Sequence, residues 1–324
     1  MDIQALYYIL QETMNFAIPL LLVALGAMFA EKSGVVNIAL EGIMIIGAFC
    51  GVAVINLMQA ANANANPQFV LLIGSLVAIV AGILFSSLLA FSAINMKANQ
   101  TIGGTAMNLL APALVVYIAR SVNDVKQIQF SKNFLIGEVP FLSDIPVIGD
   151  IFFTNFHIST YVSVAILIIA WIVINKTKFG LRLSACGEHP QAADAVGINV
   201  YKMRWAGTLI SGALGGFGGL IFIISSSVSF NGTVAGYGFL AIAVMIFGQW
   251  KPTKILGAAM LFGLAKAIAF KYTSIPFLAN LPIANIGYLF KMLPFVVTMI
   301  VLIFSSRKSR APKAEGIPYD KGER

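Results

Sequence analysis

Glu41 lies inside a long apolar run, and Asn37 stands four residues before it, a spacing that places both side chains on one face of a helix. An acid inside a membrane span costs about 2.5 to 3.5 kcal/mol on insertion scales, so such a group needs a partner or a task. Two readings stand. Glu41 and Asn37 line a polar path, or Glu41 is satisfied by a neighbouring helix or by the lipid interface. Thr101, Thr105 and Asn108 recur at spacings of four and three, a stripe that either faces a pore or hydrogen-bonds another helix. Asn37, Glu41, Thr105 and Asn108 are therefore the candidate residues of a substrate path.

The groupings that enzymes need are missing. The chain has no Gly-Lys dipeptide and so no phosphate-cradling loop of the usual kind, which leaves any ATP hydrolysis to a partner. Its only histidines, His157 and His189, fall on opposite sides of the membrane in the topology derived below, and no His-Glu-x-x-His or Cys-x-x-Cys motif accompanies them. A metal site is not supported, no cofactor is implied, and Cys50 and Cys186 cannot make a disulfide framework. The expectation is a transport subunit and not an enzyme.

The polar segment 175 to 204 carries the punctuation of one short helix. His189 or Glu188 takes the cap, Pro190 the first helical position, and Gly197 stops the chain after the last turn. The small residues between them suit either a close fit into a groove on another protein or an ordinary solvated loop. Further along, the pairs Gly212 with Gly216 and Gly215 with Gly219 let helix backbones approach closely, which serves packing first and helix sliding second.

These residues sit in a frame that lipid must solvate. The 324 residues are 59% hydrophobic and 10% charged, against roughly 25% charged in a soluble domain. Helical apolar runs fall at about 13–30, 35–58, 69–95, 101–119, 158–174, 205–228, 236–249, 254–271 and 286–305. An additional helix over 3–12, in the interface or as part of a tenth span, is the open element. No run alternates like a barrel strand, so the fold class is all-α and polytopic, with about 9 to 10 membrane helices. The start carries Asp2 and Glu12 and no basic residue, so the first span is expected to act as its own insertion signal.

The net charge of +8 is distributed by side. With segment 175–204 in the cytoplasm, 15 of the 21 basic residues fall inside, among them Lys32, Lys97, Lys251, Lys254 and those of the tail 307–324. The C-terminus is expected in the cytoplasm and the loop 120–157 outside, with 1–306 as the membrane domain. The basic residues are scattered without a dense aromatic-basic patch, so nucleic acid is not an expected partner.

Several stretches together resemble one family. They are AEKSGVVNIALEGIMIIGAF from Ala30, PFLSDIPVIGDIFF from Pro140, FGLRLSACGEHPQAADAVGINVYKMR from Phe179, AGYGFLAIAVMIFGQWKPTKILGAAMLFG from Ala235, and APKAEGIPYDKGER from Ala311. The chain is similar to the membrane permeases of bacterial ABC importers for ribose-like sugars and branched-chain amino acids, and more narrowly to their nucleoside branch. Permeases for simple sugars or branched-chain amino acids remain the alternative, with a poorer match in the outer loop and the Pro-Tyr tail. An ion-gradient-driven secondary transporter is the rival from another class.

The resemblance implies a type II importer-like membrane domain in the bacterial cell membrane. It also implies that Glu188, His189, Pro190, Ala193 and Gly197 belong to a coupling helix that docks on a separate ATP-binding subunit. A second, homologous permease subunit and an extracytoplasmic substrate-binding lipoprotein are the other implied partners.

Overall fold

The computed structural model describes residues 3–62, 64–123, 127–131, 134–139, 143, 149, 153–274, 286–305 and 311–322. The expected apolar ordering of the outer loop at Phe141, Ile145, Val147 and Ile148, and the basic residues Arg307, Lys308 and Arg310, lie outside these.

The helices are α1 (Ile3–Lys32), α2 (Leu40–Ala61), α3 (Pro67–Ala90, continued by a wider turn Phe91–Asn95), α4 (Gln100–Asn123) and α5 (Ile158–Lys176). They are followed by α6 (Lys178–Glu188), α7 (Pro190–Ala195), α8 (Val200–Ser226), α9 (Tyr237–Phe247), α10 (Pro252–Lys271) and α11 (Ile286–Ser305). Among the described residues, seven of these (α1, α2, α3, α4, α5, α8 and α10) are long and apolar enough to cross a bilayer. The chain is an all-α, multi-pass membrane protein, and α11 coincides with the last expected span.

Two expectations change. The segment over 3–12 is no separate helix and adds no tenth crossing. Nothing before Pro19 breaks the chain, so α1 runs unbroken to Lys32. The expected span 236–249 is also shorter than a span. With 11 residues, α9 reaches about 16 Å, roughly half the hydrocarbon thickness. It starts after Gly236, whose φ of +77° only glycine adopts freely, and ends in a tight turn with Gln249 and Trp250 at φ +53° and +52°.

Strands occur only as two short antiparallel pairs at one end of the bundle. The first pairs β1 (Ile128–Gln129) with β4 (Ser229–Phe230), and the second pairs β2 (Leu135–Glu138) with β3 (Thr154–His157). The first turns of α1 lie at this end too, where the Gln11 amide donates to the Thr154 carbonyl at 3.3 Å.

The core is built around α8, which packs on α1, α2 and α3. Its glycines make that possible. A Cβ placed on Gly216 would sit 2.3 Å from the Ala78 carbonyl of α3, and one on Gly219 would sit 2.2 Å from the Met44 carbonyl of α2. The glycine pairs read from the sequence are thus contact points where backbone meets backbone. By contrast, Leu72, Leu76, Val80, Leu84 and Leu88 form an outward stripe on α3, each more than half exposed.

Replacing Gly216 with alanine is expected to destabilise the detergent-solubilised protein by about 1 to 3 kcal/mol through overpacking. Gly257→Ala on α10, where nothing lies within 4 Å, should instead be neutral or stabilise by up to about 1 kcal/mol. Thermal unfolding of the two variants checks the contrast.

Candidate functional site

Glu41 is buried, and both its carboxylate oxygens are used. Oε1 accepts from the Gly236 amide at 2.9 Å and Oε2 from the Gly238 amide at 2.7 Å. These amides flank the first residue of α9, where a helix leaves its N–H groups without internal partners and carries partial positive charge. The acid therefore closes the start of a half-length helix. The fit is tight, since a Cβ on Gly238 would sit 2.3 Å from the Glu41 nitrogen.

The other candidate path residues separate into fastened and open ones. Asn108 serves the backbone next to Glu41, donating to the Ile38 carbonyl and accepting from the Gly42 amide, both at 2.8 Å. Asn37 is not on the helix face of Glu41, because α2 begins only at Leu40. The chain from Gly34, at φ +94°, to Ala39 is irregular, held by the Gln100 side chain accepting from Val36 N at 2.7 Å. Asn37 donates to the Ser211 hydroxyl at 2.8 Å instead, and its Oδ1 has no hydrogen-bond partner among the described residues. Thr105 alone keeps an exposed side chain, with its hydroxyl donating to the Thr101 carbonyl at 2.8 Å.

The opposite end of the bundle gathers the basic residues. The helix expected in the segment 175–204 is α7, with His189 at its cap and Pro190 in its first turn. Gly197, at φ +84°, closes it: its amide donates to Asp194 O at 2.9 Å and that of Ile198 to Ala193 O at 3.0 Å. Exposure divides the expected coupling residues. Glu188, His189 and Gly197 face outward with Gln191, Ala192, Ala195 and Val196, the last 75% exposed. Pro190 and Ala193 are buried against the protein's own core, so they seat α7 and offer no outer surface. Six residues of mostly small side chains carry no amphipathic signal from which this division could have been read.

The tail residues 311–322 bind this end as a strap. Ala314 N donates to Gly187 O at 2.8 Å and Gly316 N to Gly34 O at 3.2 Å, tying the tail to α6 and to the turn after α1. Arg204 of α8, 1% exposed, donates from Nη1 to Ile317 O at 2.9 Å. Tyr319 packs with Cys186, Ala193 and Val200, and ion pairs join Asp320 to Lys97 and Lys321 to Asp194. Sequence reasoning counted Arg204 and the tail only as charges marking a side. A basic residue at the foot of a glycine-rich helix and the Pro-Tyr pair of the tail were the available signals.

Burial shapes the chemistry here. It pushes the Cys186 thiol up to about 11, against a smaller opposing pull from Arg204. It also raises the Glu315 carboxyl above the usual range, an effect that its hydrogen bond with Glu31 only partly offsets. Glu31 accepts in addition from the Trp250 indole at 2.6 Å, which anchors the turn after α9 to the foot of α1.

In a Cys50→Ala background, Cys186 in open membranes is expected to resist maleimide at neutral pH. Truncation after residue 310, or Tyr319→Ala, should speed its alkylation at least about tenfold, as loss of cover admits reagent and solvent. Equal rates would show that the strap does not cover this site.

Comparison with known proteins places these features. The family described as "Branched-chain amino acid transport system / permease component" matches residues 9–302. The chain is 42% identical over 323 residues to the nucleoside ABC transporter permease protein NupC of Lactococcus lactis subsp. cremoris, covering 99% of each. It is 41% identical over 327 residues to the guanosine ABC transporter permease protein NupQ of Bacillus subtilis, covering 100% of each. It is also 26% identical over 306 residues to a second guanosine permease of Bacillus subtilis, NupP, covering 93% of this chain and 82% of that one. No solved structure matches the chain.

Proposed function

This chain belongs to the branched-chain amino acid transport system permease family, and from that membership we propose that it is a permease subunit of an ATP-driven importer for nucleosides. What supports the substrate class is the full-length likeness to permeases named for nucleosides and for guanosine. The likeness to two permeases of one organism supports a heterodimer of this chain with a second homologous permease. The remaining partners are an ATP-binding subunit and an extracytoplasmic binding lipoprotein, at the bacterial cell membrane with the C-terminus inside.

In this reading the ATP-binding subunit docks on the outer face of α7, through Ala192, Ala195 and Val196 with Glu188 and His189 beside them. Force applied there enters α8 through the short turn 196–199. It also reaches the strap through Ala193 and Tyr319, and the strap holds Arg204 of α8 and the turn after α1. The bundle then moves by rigid-body rotation, which opens the path between the two permeases to one side at a time. A transporter driven by an ion gradient is the weaker alternative, because Glu41, the one acid suited to it, has both oxygens committed to backbone amides.

The test is reconstitution with the ATP-binding subunit, the second permease and the lipoprotein. ATP-dependent uptake of tritiated guanosine is expected, reduced by unlabelled nucleosides and not by ribose. Ala192→Trp, on the exposed face of α7, should cut that uptake at least about tenfold while leaving membrane insertion intact. Uptake without ATP, or competition by ribose alone, would contradict the reading.

A further inference from the structure

A cavity of about 620 Å³ opens where the end of α8, the segment 227–236, the first residue of α9 and α10 meet. Its volume falls within the range of small-molecule sites, roughly 300 to 1,000 Å³. Two kinds of wall face each other. One is aromatic: Phe16, Phe222, Phe270 and Tyr272, with Phe16 and Phe270 in edge contact at 5.6 Å between centroids. The other is polar: Ser226, Ser229, Asn231 and Thr233. The outward stripe of α3 shows what a lipid-facing surface of this protein looks like, and it holds no hydroxyl or amide. A pocket for an acyl chain would need none either.

Tyr237 gives the cavity its direction. Its side chain is 1% exposed and lines the cavity, yet its hydroxyl has no hydrogen-bond partner among the described residues. A buried hydroxyl left unpaired costs about 1 to 3 kcal/mol, which a polar group arriving in the cavity would recover. The ring itself is fixed, lying against Phe222 at 3.9 Å between centroids and under the Lys266 ammonium at 5.2 Å. The backbone on either side of it is the pair of amides that Glu41 holds.

We propose that this cavity is a nucleoside-binding station within the permease, with the heterocycle against the ring wall, the ribose hydroxyls toward Ser226, Asn231 and Thr233, and the Tyr237 hydroxyl donating to the ligand. The assignment rests on the nucleoside reading above and deepens it. The chemistry of the walls selects among ligands. A free sugar leaves the aromatic wall largely unused. An amino acid brings an ammonium group that needs an anion, and none of the described lining residues is acidic. A neutral nucleoside uses both walls, and Lys266 can donate to a carbonyl on its base.

The test uses the whole transporter in proteoliposomes, with this chain in a Cys50→Ala, Cys186→Ala background that imports tritiated guanosine. Asn231→Cys and Thr233→Cys are labelled with maleimide, and Leu76→Cys on the α3 stripe serves as control. Guanosine should slow labelling at 231 and 233 and not at 76, and ribose should slow none. Tyr237→Phe should raise the KM for guanosine about three- to tenfold with thermal stability unchanged, since the lost hydroxyl has no partner in the empty protein. If the unmodified transporter imports guanosine but shows neither protection nor a change in KM, the cavity is not the station and the substrate reading stands. If it imports no nucleoside, the substrate reading falls and the station with it.

Discussion

The carboxylate of Glu41 meeting the first amides of α9 is the contact on which the rest of this structure depends. In lipid, each backbone donor must find its acceptor inside the protein, so a helix that starts partway through the bundle exposes a charged and unsatisfied end. Glu41 answers with two oxygens at hydrogen-bond distance from Gly236 and Gly238. Its burial and the helix end solve each other's cost, because a negative charge is most at home where helix amides converge. Around it, Asn108 fixes Gly42 and Ile38, so the start of α2 and the start of α9 are held as one unit. The segment 227–236, together with Tyr237, takes its position from that unit.

The other end of the bundle is organised by a different device. Arg204 is almost fully enclosed, and the strap of residues 311–322 reaches it from above while also binding α6 and the turn after α1. The coupling helix α7 therefore does not hang from flexible linkers. Its inner face is Pro190 and Ala193, its outer face small and apolar, and beneath it Tyr319 fills the space against Cys186. A helix of six residues has little stability of its own. Its fixed shape comes from the Gly197 closure and from this seat, and both are needed if a push on its outside is to move α8.

What could be read in the sequence followed from local rules. Apolar length marked the spans, Pro190 and Gly197 bracketed α7, and glycines four apart marked the close faces of α8. What could not be read depended on distant partners. Glu41 and Gly236 are 195 residues apart, and an apolar stretch gives no sign that its helix stops at half length. Asn37 shares the spacing of a helix face with Glu41, but Gly34 and Gln100 keep that chain irregular until Leu40. Ala193 was expected on a docking surface and is buried, because which side of so short a helix faces inward is decided by the tail that covers it. Of the candidate path residues, Asn37, Glu41 and Asn108 are now framework, and Thr105 is the one left open.

The central claim is that the Glu41 carboxylate holds α9 in place, and thermal unfolding of the purified protein with Glu41→Ala and Glu41→Gln tests it most directly. Loss of both acceptors in the alanine variant should cost about 1 to 3 kcal/mol and lower Tm by roughly 2 to 10 °C, with a smaller fall for glutamine, which keeps one acceptor. An alanine variant that unfolds at the wild-type temperature would contradict it.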